Sequence, residues 1–595
     1  MNRLAIISLL AGLALAQAPP GGSPLLGGAE PLTVFRVSSL RGSSQVVSAD
    51  APGAARAIRV TVTQAGQPWD VELRASVPQR VQKDDIAFIT FLARAVETSS
   101  ETSEAYFTVY AQKASADWDK SMHASLAVGP AWQRFSFPFR WIASYEPSQS
   151  MFAFGMGGQV QTLEVAAIEV VGFPADYPFG QLPTTTFSYG GREANAPWRA
   201  DAARRIDAIR KGDLTIDAID ASGRPAEGAL VRVEMRRHAF PFGSALQATR
   251  LVNDSPDNRT YRTKVEQLFN SATLENDLKW QPWAGDWGSG YSQAQTLAAL
   301  DWLDARRMNI RGHVLVWPGW QRLPQSVQAV RGQPDAAVRI PQMVLAHIDD
   351  IVRRTATVVD EWDVVNEPYT NHDLLDLSGR GVMRDWFARA RSHRPQTPLY
   401  LNDYDILSAH GADAAHQDHY ENTIRYLLDG GAPLSGLGMQ GHFGGTSLTA
   451  LPAVERILNR FAAHGLPIRI TEFDIDTDDG ELSAEYTRDF LTMVFSHSSV
   501  AGFQMWGFWE GAHWKPRAAM FRRDWAEKPN GTAFRRLVFD EWWSRLEGRT
   551  DGTGKFAGRA FYGTYEIAVS HNGVTRAFAV EHTARDGGTL VRVVF

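Results

Sequence analysis

Between residues 238 and 546 the chain repeats one pattern eight times: a short run rich in β-branched and aromatic residues, then a stretch whose apolar residues return every three or four positions. The runs are FPFGSAL (240–246), SATLEN (271–276), NIRGHVLVW (309–317), EWDVVNEP (361–368), PLYLNDYD (398–405), LGMQGHF (437–443), IRITEFDI (468–475) and AGFQMWGFW (501–509). Helical stretches between them include YSQAQTLAALDWLDARR, VLAHIDDIVRRT and LTALPAVERILNRFAAHG. In VLAHIDDIV, Val344, Ile348, Ile351 and Val352 fall on one helix face. Eight strand–helix units over roughly 300 residues predict a (β/α)8 TIM barrel, and a doubly wound sheet is the other architecture such alternation permits.

At 595 residues the chain is too long for one ordinary core, and the rest of it reads as separate modules. Residues 31–173 carry short alternating runs such as AIRVTVTQ, DIAFITFLAR, AYFTVYAQ and LEVAAIEVVGF, which predict a β-sandwich of jelly-roll type. Residues 174–211 are opened by a segment dense in Pro, Gly and Thr and read as a linker. Residues 212–237 read as a β-hairpin ahead of the barrel (238–546), and 547–595 as a C-terminal β segment. Neither flank is large enough for a core of its own, so the two are expected to pair into one small accessory β-module.

The first 18 residues, Met-Asn-Arg followed by LAIISLLAGLALA and small residues, have the layout of a secretory signal peptide. The expectation is a secreted chain, extracellular or periplasmic, with no membrane attachment once the signal is removed. The apolar run falls short of the ~20 residues that a spanning helix needs. A net charge of −6 with no long basic run argues against a nucleic-acid partner, and the absence of cysteine removes disulfides and thiolate chemistry. No HEXXH motif and no tight histidine pair at a strand end is present, so no metal and no cofactor is expected. The acidic run DIDTDDGE (474–481) lacks the spacing of a calcium loop and reads as solvated. A monomer is expected.

In a (β/α)8 barrel the chemistry sits at the carboxyl ends of the strands. Glu367 and Glu472 both stand at such ends, three strands apart. Paired carboxylates are what glycosidic bond cleavage needs, one protonated to assist the leaving oxygen and one ionised to attack or to activate water. Asn366 precedes the first glutamate, and MQGHF places Gln440 and His442 at the end of the strand between the two. Asp474 follows Glu472 by two residues, on the same strand face. An Asp474–His442–Glu472 relay would hold Glu472 ionised. Pro368 is expected to keep Glu367 extended, and Asn366 then reaches the same side only if its strand twists or bulges.

SATLENDLKW, RGHVLVW, WDVVNEP, LNDYD, GMQGHF and ITEFDI, in this order, resemble glycoside hydrolase family 10, the retaining endo-β-1,4-xylanases. FPFGS, WGFWE and the FYGTYEIAV tail resemble its plant-type branch, and the N-terminal sandwich resembles, more weakly, family 4/9 carbohydrate-binding modules. The resemblance implies Glu367 as general acid/base and Glu472 as nucleophile, their carboxyl groups about 5–5.5 Å apart, against ~6.5–9.5 Å for an inverting pair. It implies that Glu275, Asn276 and Lys279 hold sugars on the non-reducing side, and that His313, Asn366 and Gln440 contact the sugar whose bond is cut. It further implies that Trp280, Trp317, Trp506 and Trp514 form the walls on which sugar rings stack, and that the partner is plant cell-wall xylan.

Taken singly, most of the 19 tryptophans are as well explained by core packing, and Trp69, Trp118, Trp132 and Trp141 of the sandwich carry no assignment. Pro318 stands where typical members have a histidine after LVW, and the loop GFWEGAHWKPR departs from the common form, with Glu510, His513 and Lys515 within potential reach of a cleft. Another β-1,4-linked glycan therefore stays open as substrate. A sandwich-and-barrel protein that only binds glycans is the alternative from another class; retention of Glu367, Glu472 and His442 argues against it.

Overall fold

The computed structural model describes residues 19–595, except 29, 38, 99–104, 116, 446 and 585–587. The leader expected at 1–18 lies outside the described residues. The chain divides into two compact units, one ending at Phe187 and the other beginning at Ser188, residues 412–414 excepted.

The first unit is an antiparallel β-sandwich. One sheet orders Gly42–Ala51, Ala54–Val62, Gln161–Phe173, Ile86–Thr98 and Gln133–Arg140; the other orders Arg36–Val37, Glu72–Ser76, Ser150–Gly155, Ala105–Lys113 and Lys120–Val128. Alternation along each strand turns one set of side chains inward. Phe91 from the first sheet meets Phe154 and Phe107 from the second at 4.9 and 6.2 Å between ring centroids, edge to face. Trp141 is among the largest fully buried side chains, which makes it a core residue.

In the second unit eight parallel strands close into a barrel: β1 (Phe242–Leu246), β2 (Ser271–Leu274), β3 (Asn309–Gly312), β4 (Glu361–Asn366), β5 (Leu399–Asp403), β6 (Gly436–Gly444), β7 (Ile468–Asp476) and β8 (Val500–Met505). All eight expected runs hold a barrel strand, so the closed barrel replaces the doubly wound alternative. The helices bury one face each against this cylinder. Leu451–Ala462 turns Leu451, Val454, Ile457, Leu458 and Phe461 inward, the three-and-four spacing read from the sequence. Inside the barrel, Arg311 pairs with Asp363 and with Glu361 (3.3 Å), and Arg469 reaches Glu361 at 2.8 Å. This buried charge network sits beneath the strand ends that carry the site.

Two expectations need correction. Residues 174–211 are not all linker, because Pro197–Arg210 is a helix of the second unit. It buries Trp198, Ala202 and Ile206, and its Arg199 makes paired hydrogen bonds to Asp489 at 2.7 and 2.5 Å. Nor do residues 212–237 form a hairpin. Lys211–Ile219 runs between Lys555–Phe561 and Thr589–Val594, while Leu230–His238 runs between Arg545–Arg549 and Gly563–His571. The expected accessory module does form from both flanks, but each N-terminal strand is sandwiched between C-terminal ones.

Candidate active site

The carboxyl ends of the barrel strands open on a cleft of about 750 Å³. Glu275 and Asn276 reach it from the end of β2, with Lys279 and Trp280 a few residues on. His313 and Trp317 follow β3, Asn366 and Glu367 end β4, Gln440 and His442 come from β6, Glu472 from β7, and Trp506 and Trp514 from the segment after β8. Thirteen of the fourteen expected site residues therefore line one cleft, and the fourteenth, Asp474, stands behind His442.

Two neighbouring strands tie the glutamates together. Gln440 of β6 lies in register with Glu472 of β7, and its Nε2 donates to Glu367 Oε1 at 2.8 Å. Asn402, at the end of β5, donates from Nδ2 to Glu472 Oε1 at 3.0 Å and to Asn366 Oδ1 at 2.8 Å. That leaves Asn366 Nδ2, buried and without a partner, as a donor at the cleft. Asn402 carried no assignment in the sequence. Its signal was its place in LNDYD, at the end of a strand adjoining that of Glu367.

The backbone at Glu367 differs from expectation. Pro368 does exclude a right-handed helical conformation, but Glu367 is not extended: its φ is +54°, in the left-handed region that costs a side-chain-bearing residue energy. Its N–H donates to Asn402 O at 2.9 Å and its carbonyl accepts from Asn371 N at 3.0 Å, which hold the turn. The expected irregularity is present as a register shift between Asp363 and Val365. Bulge and turn together let two consecutive side chains, Asn366 and Glu367, face one cleft.

The two carboxyls differ electrostatically. Burial raises the pKa of Glu367, and the charge of Glu472 adds to this against the hydrogen bond from Gln440. At Glu472 burial acts in the same sense but is outweighed by the hydrogen bond from His442 and the charges of His313, His442 and Lys279, so its pKa is lowered. His442 contacts Glu472 Oε2 through Nε2 at 3.1 Å and Asp474 Oδ2 through Nδ1 at 3.0 Å. Burial opposes its charge, yet Asp474 and Glu472 together push its pKa up to about 10, so it is an imidazolium at neutral pH. The relay expected from sequence is thus an ion triad. His313 Nδ1 meets Asp363 Oδ2 at 3.0 Å, which fixes the ring toward the cleft.

The tryptophans take distinct places. Trp280 stacks on His347 at 4.4 Å, Trp506 stands edge-on to His313 at 5.4 Å, and Trp514, half exposed, donates from Nε1 to Asp474 Oδ2 at 2.7 Å. Trp317 carries the Arg322 guanidinium 4.1 Å over its ring. Arg322, Asn371 and Tyr404 also line the cleft, none of them singled out from sequence. Of Glu510, His513 and Lys515 in the loop after β8, Lys515 lines the cleft beside Trp514; Glu510 pairs with Lys528 at 2.5 Å, and His513 packs at Gly507. The acidic run after β7 is engaged rather than merely solvated. Asp476 and Asp478 each take Arg517 at 2.9 Å, and Asp479 Oδ1 caps the next helix by accepting from Leu482 N at 2.9 Å. Among the described residues no group of three or more His, Cys, Asp or Glu is arranged to hold a metal ion.

A family model described as Glycosyl hydrolase family 10 matches residues 232–537, just over half of the chain. The Anti-sigma-I factor RsgI6 of Acetivibrio thermocellus is 31% identical over 395 residues, which is 66% of this chain and 49% of that one. Endo-1,4-beta-xylanase 1 of Arabidopsis thaliana is 27% identical over 383 residues, 64% of this chain and 39% of its own. The chain thus spans half or less of the length of these two relatives. Among solved structures, xylanase 10B from Thermotoga petrophila RKU-1 in complex with xylobiose is 24% identical with a TM-score of 0.45, covering 51% of this chain and 95% of that one.

Proposed function

Because the chain belongs to glycosyl hydrolase family 10, we propose that it is an endo-1,4-β-xylanase-type hydrolase that cuts internal β-1,4 linkages of xylan with retention of configuration. The observation that carries this reading is the pair of carboxyls on one cleft, Glu367 with its pKa raised and Glu472 with its pKa lowered. A protonated acid and an ionised nucleophile are the two states that double displacement requires. Glu472 attacks the anomeric carbon while the bond to the leaving sugar breaks, and Glu367 gives its proton to the departing oxygen. Glu367, now a carboxylate, takes a proton from water as that water attacks the glycosyl ester, and Glu472 leaves as a carboxylate.

Around these two, Asn366 and His313 hold the reacting sugar, while Gln440 orients Glu367. Glu275, Asn276 and Lys279 bind sugar hydroxyls further along, and Trp280, Trp317, Trp506 and Trp514 offer flat apolar faces to pyranose rings. Similarity to an endo-1,4-beta-xylanase of A. thaliana supports the choice of xylan. Pro318, together with Arg322 and Lys515 on the cleft, favours a second reading in which the β-1,4 glycan is decorated or differs from plain xylan. The leader read at 1–18 supports export.

The test is hydrolysis of a panel of plant polysaccharides, with reducing ends assayed and products read by mass spectrometry and by proton NMR of the first anomer released. Xylo-oligosaccharides of mixed length that appear first as the β-anomer are expected. A first-formed α-anomer would contradict the assigned roles, and products from other β-glycans alone would contradict the substrate.

A further inference from the structure

The turn that carries Glu367 is held from outside the cleft as well as from within it. Glu367 sits at a φ of +54°, and a left-handed conformation of this kind persists only where neighbours over-determine it. Its carboxyl is held at both oxygens: Oε1 accepts from Gln440, and Oε2 accepts from Asn371 Nδ2 at 3.3 Å. Asn371 also closes the turn through its backbone N–H, so its place decides where the Glu367 carboxyl points. Pro368, Tyr369 and Thr370 lie between the two in the chain. Whatever anchors them anchors Asn371.

The anchor is one buried histidine. Tyr369 lays its ring on the imidazole of His416, with centroids 4.1 Å apart and planes 21° from parallel. Tyr404, just after β5, meets the same imidazole edge to face at 4.6 Å, and its hydroxyl donates to Thr370 Oγ1 at 3.2 Å. His416, near the start of the helix Ala414–Asp429, donates from Nε2 to Asp403 Oδ1 at 3.0 Å. Asp403 is the last residue of β5 and follows Asn402, whose carbonyl accepts from Glu367 N. The contacts therefore close a ring, from Glu367 through Asn402, Asp403, His416 and Tyr369 back to Glu367. His416 and Asp403 are 1% and 0% exposed, and neither they nor Tyr369 lines the cleft. Burying such a pair costs desolvation that its attraction offsets only in part, so a contribution to stability does not by itself account for it.

We propose that Tyr369, His416 and Asp403 are positioning residues for the proton donor: they clamp the turn 367–371 to the end of β5 and so hold the Glu367 carboxyl where it can reach the leaving oxygen. The assignment rests on the acid role proposed for Glu367, and the test separates the two. Tyr369→Leu removes the ring from His416, whereas Tyr369→Phe keeps it. The full chain and these variants, with Glu367→Ala beside them, are assayed for kcat/KM on phenyl and 2,4-dinitrophenyl β-xylobiosides. That ratio covers the steps up to the glycosyl-enzyme, and of the two leaving groups only phenolate needs a proton. Tyr369→Leu should lose about tenfold or more on the phenyl substrate and no more than about twofold on the dinitrophenyl one, with Tyr369→Phe close to the parent on both. If too little folded Tyr369→Leu is obtained, as judged by its thermal midpoint, His416→Gln takes its place with the same expectation. Equal fractional losses on the two substrates, as a purely structural role would give, or no loss on either, would overturn the clamp while Glu367→Ala still shows the split. A Glu367→Ala variant that loses equally on both would overturn the acid role itself, and the clamp with it.

Discussion

Glu367 and Glu472 are chemically alike, and their difference comes from their partners. The cation that separates them is His442, which stays charged up to about pH 10 because it faces both Asp474 and Glu472. On the proposed roles, activity requires Glu472 ionised and Glu367 protonated. The rate therefore rises as pH climbs through the lowered pKa of Glu472 and falls as it climbs through the raised pKa of Glu367, a bell straddling the ordinary glutamate value of 4.5. Replacing His442 by Gln removes a positive charge and a hydrogen bond from Glu472, so the acidic limb of kcat/KM should move to higher pH while the alkaline limb moves less. An unmoved acidic limb would show that His442 does not set the ionisation of Glu472. Glu367→Ala should lower kcat on xylan by about 10²–10⁴-fold, with a smaller loss on an aryl glycoside whose leaving group needs no proton. Asn402→Ala should cost activity as well, because Asn366 and Glu472 both lose the amide that positions them.

At the scale of elements, local periodicity located the barrel strands and failed where partners are remote in the chain. The eight strand-end motifs were legible because each strand is buried on both faces and reads as an apolar run that stops at a polar group. Pro197–Arg210 was not, since it buries only Trp198, Ala202 and Ile206 and is otherwise anchored by arginines to partners remote in the chain: Arg199 to Asp489, Arg205 to Glu455 at 2.7 Å, and Arg210 Nε to the carbonyl of Phe495 at 2.8 Å. Arg199→Ala should destabilise the protein by about 1–3 kcal/mol, because Asp489 is buried but keeps Arg488 and Tyr189, and calorimetry would register this as a lower thermal midpoint. The left-handed turn at Glu367 was illegible for a related reason. Pro368 excludes one conformation, and only the contacts to Asn402 and Asn371 choose among the rest.

For the whole molecule, the barrel is framed by a module in which the last strand of the chain, Thr589–Val594, lies parallel to Lys211–Ile219. Removing residues 555–595 would strip Lys211–Ile219 of both neighbours and uncover Leu214 and Ile216, so the truncated chain should melt earlier or fail to remain soluble. An unchanged melting curve would mean that the module is an appendage. On the proposed double displacement, Glu472 is the carboxylate that forms the covalent intermediate. A 2-deoxy-2-fluoro xylobioside with a good leaving group slows the second displacement, so intact-mass and peptide mass spectrometry can catch the ester. One glycosyl unit per chain, on the peptide carrying Glu472 and absent from Glu472→Gln, is the predicted result; a chain that turns over xylan yet carries no label, or carries it on Glu367, would contradict the account.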